Sequence, residues 1–170
     1  MESHPIGGLV LHRREPEKVW QALTDAVFTK QYFFGFAVEI EPKQSGRFRL
    51  LWPDGRVHVS GEVAEWSPPR RLAVTWLVEG MNDFGDLPEC LISYDIAPSG
   101  EAAKLTMSES HSWDVPRDLL RGGEIGWPKI LSSLKSLLET GRPLAAANEL
   151  PPPEFIEAVN KAVAEKPWLK

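Results

Sequence analysis

Cysteine is almost absent: Cys90 stands alone among 170 residues. An internal disulfide is therefore impossible, and a zinc site built on cysteines would lack its second thiolate. A lone thiol suits a reducing compartment. Long apolar runs are missing too, since none approaches the ~20 residues that a membrane-spanning helix needs. Met1 to Arg14 lacks the basic segment, apolar stretch and cleavage site of a secretory signal. We therefore expect a cytoplasmic chain with no membrane span. Basic runs are scarce: Arg13-Arg14 and Arg70-Arg71 are the only paired basic residues, and the net charge is −5. That excludes nucleic acid as the main partner, because binding phosphates needs a clustered basic surface.

Enzymatic signatures are lacking as well. The chain has no Walker loop, no dinucleotide-type glycine pattern after a strand, no Gly-x-Ser-x-Gly elbow and no His-Glu-x-x-His. His4, His12, His58 and His111 are scattered without metal-ligand spacing, so no metal and no cofactor is expected. What remains is an ordinary globular composition, 42% hydrophobic and 25% charged. The length fits one domain large enough to bury about 70% of its unfolded surface without a disulfide or metal.

The order of elements is legible. Gly8 to Arg14 reads as a first strand, with Leu9 and Leu11 alternating against polar neighbours. Glu15-Pro16-Glu17 opens a helix in which Val19, Trp20 and Leu23 recur at helical spacing. Thr24-Asp25 ends it and caps a second short helix, Ala26 to Phe33. Six strand-like segments follow: Ala37–Glu41, Gly46–Trp52, Val57–Trp66, Arg71–Val78, Glu89–Ile96 and Lys104–Trp113. Tight turns join them, notably Pro53-Asp54-Gly55 and Pro98-Ser99-Gly100. Alternation puts Phe48, Leu50 and Trp52 on one face, and likewise Val57, Val59 and Val63. It aligns Leu72, Val74, Trp76 and Val78, then Cys90, Ile92, Tyr94 and Ile96, then Leu105, Met107, Glu109 and His111. Sequential strands with one apolar face predict a curved antiparallel meander of six or seven strands, in an α+β fold.

Gly126 to Gly141 supplies the cover for that face. A long helix over Trp127 to Thr140 carries Trp127, Ile130, Leu131, Leu134, Leu137 and Leu138 on one stripe. Pro128 is expected in its first turn, Gly141 caps its end and Pro143 prevents continuation. Ser132, Ser133 and Ser136 are expected to face solvent. We divide the chain into a domain over residues 1–143 and an extension over 144–170. In the extension Pro151-Pro152-Pro153 is a stiff spacer. Glu154 to Lys166 can form a helix with Phe155, Ile156, Val159 and Val163 on one side. That side must dock on this domain or on a second copy, which suggests a homodimer.

Strand, helix, helix, six strands and long helix is the order of the helix-grip fold. The sequence resembles the superfamily of START domains and birch-pollen allergens. Within it, the chain is similar to the branch named after the activator of the heat-shock-protein-90 ATPase. The stretches that carry the resemblance are Pro16 to Asp25, Ser45 to Trp76, the strands Ile92–Ile96 and Leu105–Glu109, and Gly126 to Gly141. Many relatives carry a histidine at or near the place of Glu109. The co-chaperone members usually carry a separate N-terminal domain. Here strand one begins about eight residues in, so that domain is expected to be missing.

The resemblance implies a cavity between sheet and helix that often holds a hydrophobic small molecule. The inward-facing residues nominate its lining: Phe48, Leu50, Trp52, Val59, Val74, Trp76, Ile92, Tyr94, Met107, Glu109, Trp127, Leu131 and Leu134. The loop Met81 to Leu87 lies at the cavity mouth in this fold, where Asn82, Asp83 and Asp86 are placed to select polar ligand ends. No residue is nominated as catalytic. The leading expectation is a carrier or sensor of an apolar ligand. An alternative is an enzyme acting on a polyketide-like substrate, with Glu109 and either Tyr94 or His111 as acid and base. A third reading is a co-chaperone-like interaction domain.

Overall fold

The computed structural model of the chain describes residues 2–12, 15–79, 87–145 and 153–169. Strand β1 (Glu2–His12) leads into helices α1 (Pro16–Thr24) and α2 (Ala26–Tyr32). Pro16 opens α1, where its missing N–H is no loss, and the Asp25 carboxylate accepts the Val27 N–H at 2.8 Å to cap α2. Six strands follow: β2 (Ala37–Ile40), β3 (Arg47–Leu51), β4 (Val57–Ser67), β5 (Arg71–Val78), β6 (Cys90–Ser99) and β7 (Ala102–His111). Helix α3 (Arg117–Thr140) and helix α4 (Pro153–Glu165) follow, with a 3-10 turn at Pro167–Leu169.

The strands form one seven-stranded antiparallel sheet in the order β1-β7-β6-β5-β4-β3-β2. Helices α1 and α2 carry the chain from one edge to the other, and the meander then returns strand by strand until β7 lies against β1. This is the helix-grip arrangement, with α3 packed against β1 and α2. Leu11, Val59, Val74, Leu105, Met107 and Leu134 meet in the core with no solvent-accessible surface. On the other side of the sheet Arg71 joins three strands, bonding Glu65 at 2.8 Å and Asp95 at 2.7 Å.

Four differences from the sequence reading have physical causes. Strand β1 runs from Glu2 to His12 and not from Gly8 to Arg14, because β7 pairs with it from Glu2↔His111 to His12↔Ala102, with one register shift between Pro5 and Gly7. Arg13 and Arg14 lie outside the described residues. Helix α3 begins ten residues before Trp127, at Arg117, and Pro128 sits in its interior and not in its first turn. Gly122, Gly123, Gly126 and Pro128 conceal that first half from any propensity argument. Packing supports it instead, through buried Leu119 and buried Trp127. Gly141 ends α3 as anticipated, in the left-handed region at φ 76° with its N–H on Leu137. Ser133 does not face solvent. It is fully buried, and its hydroxyl oxygen accepts the Leu144 N–H at 3.1 Å, which turns the chain back along the helix.

Helix α4 is one residue displaced from the expected Glu154–Lys166 and docks on its own chain. Val159 and Ala162 are buried with Leu119, and Phe155, Trp113, Val115 and Trp168 pack around them. Gly122 makes the docking possible, since a Cβ there would stand 2.0 Å from the Phe155 ring. Pro151 and Pro152, like the mouth-loop residues Asn82, Asp83 and Asp86, lie outside the described residues. No helix among the described residues is long and apolar enough to cross a membrane.

Candidate functional site

Hairpin geometry sets the polar part of the site. The β6–β7 turn pairs Ser99 with Ala102, and the register runs unbroken to Ile92↔Glu109 and Leu91↔Ser110. Continuing it one step places Cys90 opposite His111. The same alternation turns Cys90, Glu109 and His111 to the inner face. One ligand atom from each lies within 4.8 Å of the others.

Glu109 is the hub. Its Oε1 lies 2.6 Å from Nε2 of His111, and its Oε2 accepts the indole N–H of Trp127 at 3.2 Å. The side chains of Glu109 and His111 are only 17% and 11% exposed. Among the described residues neither lysine nor arginine pairs with Glu109. Nδ1 of His111 is buried without a hydrogen-bond partner, an arrangement that ordinarily costs about 1–3 kcal/mol. Burial, with the Glu109 carboxylate adding to it, pushes the Cys90 thiol far above its ordinary pKa. The thiol is therefore protonated and unreactive at neutral pH.

Beside this cluster runs a continuous series of rings. Trp127 stands edge-on to Phe33 at 5.6 Å and meets Trp76 at 5.4 Å. Phe33 stacks on Trp76 at 6.1 Å, and Phe48 lies 5.7 Å from it. Phe33 continues to Phe36, which stacks on His58 at 4.5 Å and meets Trp52 edge-on at 4.7 Å. Burial lowers the pKa of His58 to about 4, so its ring is neutral. Trp52 and Trp76 keep part of their surface exposed, whereas Phe33, Phe36 and Phe48 are buried.

The thirteen nominated residues thus separate into two groups. Leu50, Val59, Val74, Ile92, Met107 and Leu134 are at most 2% exposed. Val59, Val74, Met107 and Leu134 have no accessible surface at all, so no water-sized space adjoins them and they are core. Leu131 is buried nearby. Trp52, Trp76, Trp127 and Glu109, with Phe48 behind them, form the partly open aromatic end. Tyr94 belongs to the deep group: it pairs with Met107, one inward position below Glu109, and burial holds its phenol protonated. Its hydroxyl makes no hydrogen bond to Glu109 or His111 among the described residues.

The sequence reading missed Phe33, Phe36 and His58 as members of the ring series. The run Phe33-Phe34-Gly35-Phe36 was the available signal. Trp20 and Trp66 lie outside this series, packing edge-on at 4.9 Å between α1 and β4. A shallow depression at the far sheet edge, lined by Glu39, Ile40, Glu41 and Arg47, is remote in strand order from Glu109.

Solved structures share this architecture. A protein from Mesorhizobium loti is 24% identical with a TM-score of 0.62, over 78% of this chain and 96% of that one. CalU16 from Micromonospora echinospora is 19% identical with a TM-score of 0.61, over 95% of this chain and 84% of that one. The Aha1 dimer from Colwellia psychrerythraea is 17% identical with a TM-score of 0.62, over 83% of this chain and 98% of that one. No curated protein sequence matches the chain significantly. The family model described as "Activator of Hsp90 ATPase homolog 1-like protein" matches residues 13–139, well over half the chain. With the helix-grip sheet, the gripped helix and that match together, the chain belongs to the family of Activator of Hsp90 ATPase homolog 1-like proteins.

Proposed function

We propose that this chain is a carrier or sensor of an apolar small molecule, bound at the aromatic end of the sheet–helix space. The observation that supports the reading is the partly exposed pair Trp52 and Trp76, in one ring series with Trp127, whose indole is tied to the half-buried Glu109. Rings offer a flat ligand large contact area at low entropic cost, and burial contributes about 25 cal/mol per Å2 of apolar surface. Glu109 and His111 would orient one polar group of the ligand. The reading assigns no cofactor, no nucleic acid and a cytoplasmic location, and treats residues 1–143 as the binding domain with 144–170 as its extension. A homodimer belongs to the same proposal, supported by the dimeric Aha1 structure. Its interface would lie away from the apolar face of α4, which is occupied within the chain.

A second reading is favoured by one distance. Glu109 and His111, 2.6 Å apart and little exposed, are placed as an acid–base pair for an enzyme acting on a polyketide-like substrate. Product analysis separates the two, because a carrier returns its ligand unchanged.

Tryptophan fluorescence tests the proposal. Fatty acids and flat aromatic polyketides are titrated into the protein with a chelator present. One class should quench saturably, and Trp76→Ala should weaken that class at least tenfold. No saturable response from any class, or undiminished binding by Trp76→Ala, would reject the reading.

A further inference from the structure

We infer that Cys90, Glu109 and His111 form a binding site for a transition-metal dication of the zinc type. Three observations carry it. First, a thiol sulfur, a carboxylate oxygen and an imidazole nitrogen lie within 4.8 Å of one another, on two adjacent strands of a rigid sheet. Tetrahedral zinc takes S, N and O donors at about 2.0–2.3 Å, so its ligand atoms stand roughly 3.3–3.8 Å apart. The three side chains need only small adjustments to reach that spacing, and the Glu109–His111 contact must open slightly from 2.6 Å.

Second, the cluster has unmet bonding capacity. Glu109 faces no lysine or arginine among the described residues. A dication held between its Oε1 and Nε2 of His111 would supply the cation that this carboxylate lacks. With a thiolate, a carboxylate and a neutral imidazole as ligands, the metal-bound site carries no net charge and suits a poorly solvated position. The proton displaced from the thiol leaves to solvent.

Third, one ligand is already held in place. The Trp127 indole N–H fixes Oε2 of Glu109, leaving Oε1 toward His111. Such an outer contact orients a metal-binding carboxylate. The donor set selects the ion, since a sulfur and a nitrogen disfavour magnesium and calcium, which take oxygen ligands. Three protein ligands leave the fourth tetrahedral position for water or a bound molecule. This inference does not depend on apolar ligand binding, which is measured with metal chelated.

Cobalt(II) reads the site directly. The full chain is stripped with chelator, desalted and titrated with Co2+. We expect a near-ultraviolet thiolate-to-cobalt charge-transfer band that saturates at one ion per chain and is abolished by Zn2+ but not by Mg2+. Cys90→Ser should lack the band, and His111→Ala and Glu109→Gln should each weaken binding at least tenfold, with folding verified by circular dichroism. No band from the folded wild-type chain would overturn the inference. So would equal binding by His111→Ala, which would show a lone thiol capturing metal adventitiously.

Discussion

Leu134 lies in the gripped stretch of α3 with no accessible surface, among core residues such as Val59, Val74 and Met107 that have none either. Truncation to alanine removes three carbons from a closed space. Neighbours held in a sheet and a long helix relax only partly, so both the transfer and the cavity contributions apply, about 3 kcal/mol within the range seen for buried leucines. For 170 residues the unfolding entropy is about 0.36 kcal/mol per kelvin, so Leu134→Ala should lower Tm by about 8 °C. The assay is thermal denaturation by circular dichroism, with exposed Ser132→Ala as the neutral control. Enlargement sharpens the test. Leu134→Trp has nowhere to place its ring and should destabilise by about 1–3 kcal/mol or more. The outcome that refutes the reasoning is a Leu134→Ala loss under about 1 kcal/mol together with a well-tolerated Leu134→Trp. That result would mean a ligand space deep beside α3, and would move the proposed site from the aromatic end to the middle of the sheet.

Three other outcomes follow from the packing and the charges. Gly122→Ala should destabilise the α3–α4 contact by about 1–2 kcal/mol, because the new Cβ meets the Phe155 ring at 2.0 Å. In a Phe155→Ala background the same change should be neutral or stabilising, since alanine exceeds glycine as a helix former by about 1 kcal/mol; urea titration of the double-mutant cycle measures both. Stability should fall as pH drops from 6.5 toward about 4, because the unfolded chain protonates His58 in that window while the folded chain holds it neutral. His58 is only partly buried, so solvent screening limits the effect to about 1–2 kcal/mol. Melting curves at pH 7 and pH 4.5 should show a smaller loss for His58→Asn than for the wild-type chain. Trp127→Phe removes the indole donor from Glu109. It should weaken Co2+ binding several-fold while leaving the charge-transfer band in place, as expected for a positioning residue.

By itself the sequence determined the elements whose signals are local. Six strands from Ala37 onward are legible from period-two alternation and turn residues, and their observed bounds lie within a few residues of the expected ones. Asp25 as a cap, Gly141 as a stop and the stripe from Trp127 to Leu138 were legible for the same reason, since each depends on neighbours within one or two turns. The inward direction of Cys90, Glu109 and His111 was also written in the alternation. Their convergence was not, because it needs the β6–β7 register, in which a tight hairpin brings residues about twenty positions apart face to face. Tertiary packing alone decided the rest. It sustained a helix through Gly122, Gly126 and Pro128, buried Ser133, and extended β1 to Glu2 along β7. It also sorted the inward residues into a closed core and a partly open ring series. Alternation tells which face a side chain takes, but whether that face meets another side chain or an open space depends on how α2 and α3 lie across the sheet.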